Sequence, residues 1–272
     1  MVELKHHLEL YFRLLGAQLR SQMQYRLGFV LDVISTMMFT ITEFGAFVLV
    51  FGRFPNIGGW KLEEVAFLYG MVEFSFGTMD MIFAGFDPPA FAQYIRKGTL
   101  DQFLLRPSSL LVQIFGSDFT LRRIGRIALA VVILVYAIAA NHVQWNLEKI
   151  LYFPFVILGM ILFFGGLFMV GATITFWTVE STEAMNIFTY GGGYLISYPM
   201  NIYSDWLRKI FTFVIPAIFL NYYPALFFLE KPDPFLMPYF VHFLAPLVGL
   251  FVFWLALQFW RFGLTHYQST GN

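Results

Sequence analysis

The chain has 272 residues, 58% apolar and only 12% charged, with 17 basic and 17 acidic side chains in balance. Soluble domains run at about half apolar and about a quarter charged, so the composition disfavours a soluble core and favours a polytopic membrane protein, while zero net charge gives no basis for binding nucleic acid. There is no cysteine, which excludes disulfides, thiolate catalysis and Cys-ligated zinc.

The first segment, Met1–Arg20, carries charge throughout and lacks the apolar core and small-residue cleavage site of a signal peptide. Leu4, Leu8, Tyr11, Phe12, Leu15 and Leu19 recur at helical spacing, with Lys5, Glu9, Arg13 and Arg20 offset from them. This predicts an amphipathic interfacial helix over residues 1–24, or else the first turns of a long first span. Apolar runs long enough to cross a bilayer follow. The predicted spans are Gly28–Phe51, Leu62–Phe86, Ile124–Ala140, Ile150–Val179, Met185–Tyr203 and Pro238–Phe262. Trp60, Trp145, Trp177, Trp206 and Trp260 fall near their ends, where indole favours the headgroup level.

Between the fifth and last spans, Ile210–Leu229 is apolar but is interrupted by Pro216 and by Asn221–Pro224, "NYYP". A broken apolar segment survives at membrane depth only where protein or a wet cavity covers its free backbone groups. A re-entrant hairpin within 204–237 is the favoured reading over a seventh span. The expected fold is thus one all-α transmembrane domain, 1–272, with six spans.

Lys5, Arg13, Arg20, Arg26, Arg96, Lys97, Arg106, Arg122, Arg123, Arg126 and Arg261 fall on one side of this scheme. Arg53, Lys61, Lys149, Arg208, Lys209 and Lys231 fall on the other. The excess of basic residues puts the N-terminus and the loop between spans two and three in the cytoplasm.

That loop, 87–109, reads as short helices. Asp87 can cap a helix starting at Pro88. Phe91, Tyr94 and Ile95 share its apolar face, with Gln93, Arg96 and Lys97 away from it. Gly98 can close it in the left-handed region. Thr99 and Gln102 have the spacing of a capping box for a second turn, whose apolar side is Leu100, Phe103, Leu104 and Leu105. Pro107 stops it, and Ser108 or Ser109 can cap the climb into span three. Such a knob with an aromatic stripe either docks into a groove on a soluble partner or lies on lipid.

"IRKGTLDQFLLRP" at Ile95–Pro107 resembles the cytoplasmic signature of type-2 ABC exporter permeases, in a subgroup of unassigned substrate. "YRLGF" at 25–29, "LYGMVEFSFG" at 68–77, "YPMNIY" at 198–203 and "FVIPAIFLNYYPALFFLEK" at 213–231 resemble the same family in order and spacing. The resemblance implies a six-span permease that pairs with a second, identical or related, permease and is driven by two copies of a cytoplasmic ATPase, which holds the ATP and Mg. It also implies that the loop is the coupling helix, with Phe91, Tyr94, Ile95, Arg96, Lys97, Asp101 and Arg106 facing that ATPase, in a bacterial cytoplasmic membrane.

The chain itself has no G-x-x-x-x-G-K-[ST] loop; "GGGY" at Gly191–Tyr194 lacks the lysine and reads as close helix packing or a kink. No HExxH, GxSxG or clustered Asp/His set occurs, so no catalytic or metal-binding residue is expected. The five histidines (His6, His7, His142, His242 and His266) are scattered and read as surface or interfacial. Asp32 and Glu43 in span one and Glu73 and Asp80 in span two must face protein or a wet cavity. Glu43, Glu73 and Asp80 are either a substrate or proton path or structural hydrogen-bonding groups. Glu180 and Glu183 either touch the ATPase or cap span five. The leading function is an ATP-driven exporter of an amphipathic substrate. A proton-coupled secondary transporter and a lipid-modifying enzyme are the alternatives.

Overall fold

The computed structural model describes residues 2–179 and 183–269. Among these there is no β-strand. Thirteen α-helices follow in order: α1 (Val2–Gln24), α2 (Arg26–Arg53), α3 (Leu62–Ile82), α4 (Pro88–Arg96), α5 (Thr99–Leu104), α6 (Leu110–Ser117), α7 (Ile124–Ala140), α8 (Leu147–Thr178), α9 (Glu183–Phe188), α10 (Tyr190–Ile196), α11 (Asp205–Lys209), α12 (Tyr222–Leu229) and α13 (Ala245–Thr265).

Five helical segments are long and apolar enough to cross a membrane: α2, α3, Leu121–Ala140, α8 and α13. The bent pair Asp205–Val214 and Ala217–Leu229 makes a sixth if it is taken as one span. The chain is a multi-pass membrane protein. Helix α3 is the central post, with 78% of its apolar window buried, whereas α2 is buried over only 11% of its window. The starts of these helices follow local chemistry. Glu64 Oε2 accepts the Lys61 N–H at 2.8 Å, half of a capping box for α3. Asn146 Oδ1 accepts the Lys149 N–H at 2.8 Å at the start of α8.

Helix α1 is separate from α2. The backbone of Tyr25 (φ −104°, ψ 65°) leaves the helical region between them, and α1 packs along α6. Leu14 fills the space beside Gly116, where a Cβ would sit 2.8 Å from its own Cβ. The side chain of Gln18 donates to the Ser117 carbonyl, and Gln22 accepts the Leu121 N–H at 3.0 Å. His6 and His7 have side chains outside the described residues.

Three expectations need correction. The predicted fifth span is not one helix. α9 and α10 are parted at Thr189, whose hydroxyl bonds the Met185 carbonyl at 3.0 Å, and the second piece contains three successive glycines. Glycine and a back-bonded threonine both weaken a helix interior, so these turns persist by packing: a Cβ at Gly193 would lie 3.3 Å from the Phe76 ring. Trp60 and Trp260 do not sit at a lipid interface. Each is 2% exposed, because the first is roofed by Tyr222 and Lys231 and the second is wedged between Phe86, Phe91 and Phe176. His242 is likewise buried, with Nδ1 2.9 Å from the Tyr239 carbonyl.

Two ends of the bundle are marked by cross-links. At one, Asn141 at the end of α7 donates to the Glu63 carbonyl at 2.7 Å, and Asn201 donates to the Gly58 carbonyl at 2.6 Å. At the other, Tyr267 just beyond α13 donates to Asp101 at 3.0 Å. Helices α8 and α13 lie backbone against backbone. A Cβ on Gly249 would come 2.7 Å from Gly159 Cα, and one on Gly159 would come 2.6 Å from the Ala245 carbonyl. Small residues at a crossing permit this approach in membrane bundles.

Candidate functional site

The segment after α3 turns through Ala84–Phe86. Position 85 tolerates only glycine, since a Cβ there would meet the Ile114 carbonyl at 2.6 Å. Asp87 stands at the N-cap of α4 and Pro88 begins it, as the sequence predicts, but the carboxylate makes no capping bond. Its Oδ1 is buried without a hydrogen-bond partner. Burial pushes the Asp87 pKa up to about 6; the charges of Asp80 and Asp118 add to this and Arg123 opposes it. Gly98 takes φ +64° and closes α4. It also occupies the N-cap of α5, and neither the capping box expected from Thr99 and Gln102 nor a side-chain cap from Ser109 forms.

The stripe on α4 points inward, against the docking reading of its aromatic face. Phe91 is fully buried and Ile95 nearly so. Phe91 meets Trp260 at 5.4 Å and Phe176 at 5.6 Å between ring centroids. The physical reason is that α4 lies on α8, with Pro88 filling the space beside Gly171, so the apolar side belongs to the bundle. Tyr94 is half-buried and donates to Asp118 at 2.6 Å, with Ser117 Oγ 3.1 Å away. Asp101 is held by Tyr267 at 3.0 Å and Ser269 at 2.7 Å. The outward tip consists of Arg96, Lys97, Leu104, Leu105 and Arg106. Leu105 is 87% exposed, and Arg106 stacks over the Phe103 ring at 5.3 Å. Of the four residues that periodicity puts on the apolar side of α5, Leu100 and Phe103 are buried, while Leu104 and Leu105 are exposed. Glu180, and the side chain of Glu183, lie outside the described residues.

The carboxylates in the spans fall into two kinds. Glu73 and Asp80 are 1% and 3% exposed and face protein. Arg126 grips Glu73 with two bonds of 2.6 and 2.7 Å and lies 4.9 Å over the Phe76 ring. Arg123 Nε is 2.7 Å from Asp80 Oδ2, a charge contact without a well-directed hydrogen bond. Two carboxylates seven apart on α3 thus meet Arg123, in the turn just before α7, and Arg126, in the first turn of α7. Glu43 differs, because it accepts a hydrogen bond from Tyr69 at 3.1 Å and forms no ion pair among the described residues. Asp32 is exposed and borders a polar hollow of about 460 Å³ with Gln18, Gln22 and Arg122.

Two lysines absent from the expected set fasten the bent pair. The nearly fully buried Lys149 donates to the Phe228 carbonyl at 3.0 Å and to Glu230 at 2.6 Å. Lys231 donates to Glu64 at 2.7 Å and to the Gly59 carbonyl at 3.0 Å. Asn221, from "NYYP", is fully buried and donates to the Leu68 and Ile196 carbonyls at 3.2 and 2.8 Å.

No curated protein and no solved structure matches the chain. A family model described as "ABC-2 family transporter protein" matches residues 37–271, which include the knob, three of the four intramembrane carboxylates and the bent pair. The chain therefore belongs to the ABC-2 family of transporter proteins, as a membrane-spanning permease component.

Proposed function

We propose that the chain is the permease subunit of an ATP-driven exporter of an amphipathic substrate. It lies in a bacterial cytoplasmic membrane with its N-terminus inside and pairs with a second permease, identical or related. Two copies of a cytoplasmic ATPase bind ATP and Mg and supply the work, and the permease itself carries out no catalysis. In this reading 87–109 is the coupling region and its contact surface is the tip, Lys97 with Leu104–Arg106, rather than the inward Phe91 and Ile95. Helix α1 is the interfacial helix.

The observation that carries the reading is how the knob is rooted. Its inner side is packed on α8 and α13 through Phe91, Phe176 and Trp260, and tied to the C-terminal segment through Asp101. Its outer side presents a bare leucine beside arginine, a pairing suited to a partner's groove. A push on the tip is transmitted to two spans. The re-entrant reading of 204–237 is supported by the residues on either side of the bent pair bonding to the same turn, Asn201 before it to Gly58 and Lys231 after it to Gly59. The proton-coupled alternative loses support because two of its three carboxylates are already neutralised by arginine.

The test is co-purification from native membranes through a tag on the N-terminus. A P-loop ATPase is expected with the wild type and is expected to be lost from Leu105→Asp, provided that variant melts at the wild-type temperature. Absence of any ATPase, or its full retention by a stable Leu105→Asp protein, refutes the proposal.

A further inference from the structure

Glu43 lies one helical turn before Phe47, which lines an apolar crevice. Glu43, Phe47, Val50 and Phe51 succeed one another on one face of α2, at i, i+4, i+7 and i+8. Beyond Glu43, toward the C-terminal end of α2, lies a cavity of about 130 Å³ lined by Phe47, Val50, Phe51, Val65, Tyr198 and Ile202, among others. The crevice is partly open and its lining is almost wholly apolar, so an apolar chain can lie in it.

The wall between carboxylate and crevice is aromatic. Ring centroids of Phe47 and Tyr198 are 4.7 Å apart, those of Phe47 and Tyr69 are 5.1 Å apart, and those of Phe44 and Tyr69 are 5.8 Å apart. Tyr69 donates to Glu43 at 3.1 Å, and Tyr194 stands near enough for its hydroxyl and the carboxylate to influence each other. Both Tyr194 and Tyr198 are 39% exposed, so the group opens outward from the bundle. The guanidinium whose field reaches Glu43, that of Arg126, is already held by Glu73. The site therefore offers one carboxylate without a counter-ion among the described residues, several neighbouring aromatic rings, and an apolar slot one turn away.

We propose that this group binds a cationic amphiphile, its ammonium head at Glu43 between the tyrosines and its alkyl chain in the crevice. This deepens the permease reading by naming a substrate class, and rests on that reading only for calling the ligand a substrate.

The test uses full-length protein in dioleoylphosphatidylglycerol nanodiscs with three photoreactive dodecyl probes, each carrying a terminal diazirine: the trimethylammonium, the sulfate and the alcohol. Labelling of residues 46–51 and 198–202 is read by mass spectrometry. It is divided by labelling of the exposed residues Phe251, Trp254 and Leu255 in the same sample, which corrects for partition into the bilayer. The ammonium probe is expected to exceed the other two by about tenfold in this ratio, the change given by one charge–aromatic recognition element. Glu43→Gln is expected to bring it to the alcohol's level, Glu43→Asp to keep part of the preference, and Ala46→Trp to reduce all three probes. Equal ratios for the three headgroups, labelling no greater than at α13, or an ammonium preference that survives Glu43→Gln each overturn the proposal. If Glu43→Gln fails to fold, Tyr194→Phe takes its place, with a smaller loss expected and an undiminished preference counting against the site. No ATPase is present, so the result is independent of the coupling test.

Discussion

Replacing Glu73 by leucine would leave the Arg126 guanidinium without its counter-ion at the junction of α3 and α7. The two side chains are 2% and 12% exposed and share two short bonds. Removing one partner of such a buried pair costs about 3–5 kcal/mol, because the remaining charge stays desolvated. Arg126→Met is expected to cost about as much. The double variant removes both charges, and apolar replacement of a buried pair is near neutral. The double-variant effect less the sum of the two single effects should therefore be about −6 kcal/mol or larger in magnitude, beyond the range of about 0.5–3 kcal/mol usual for contacting residues. In thermal unfolding of the detergent-solubilised protein, each single variant should melt on the order of 10 °C lower, and the double variant within a few degrees of wild type. Additive single effects would show that the pair does not hold α3 to α7.

Gly249→Leu is expected to part α8 from α13, where a Cβ already meets Gly159, and to lower the melting temperature by more than Gly45→Leu, which has open space around it. Asp87→Asn is expected to raise stability near neutral pH. The folded carboxyl titrates at about 6, above its ordinary 3.8. Its favourable contribution is therefore full below pH 3.8 and is lost as pH rises through 6, a swing of up to about 3 kcal/mol that melting curves across pH 4–7 should show in wild type and not in the variant. Lys231→Met is expected to loosen the bent pair from Glu64 and Gly59, read as faster proteolysis after Lys209. Leu105→Asp, as above, should release the ATPase without lowering the melting temperature.

The long helices were legible because length and apolarity alone define a span. Ile124–Ala140 has the bounds expected of it, three others shift by up to four residues, and the last begins at Ala245 rather than Pro238, after a separate turn at Tyr239–Phe243. The broken segment at 183–196 was not legible, since hydropathy is blind to the Thr189 back-bond and to glycines held by Phe76 and Phe164. In the knob, spacing identified the apolar stripe but not its direction. An amphipathic helix looks the same whether its greasy side meets a partner or its own bundle, and only Trp260 and Phe176, more than 80 residues away, decide it. The same holds for the carboxylates. Glu73 and Asp80 were visible as costly charges, while their arginines, counted as loop residues, found them only through the packing of α7 on α3.

The backbone contact between α8 and α13 limits how the molecule can move. With Gly159 and Gly249 interlocked and Gly263 closed over Thr173 and Phe176, the two helices cannot slide or roll past each other without collision. They form a stiff strut, running roughly 25 Å from Gly159 to Phe176 at the usual helical rise. Any rearrangement that opens a passage must carry this strut as one piece, leaving the bending to the thinly packed α2 and the fractured turns around Thr189.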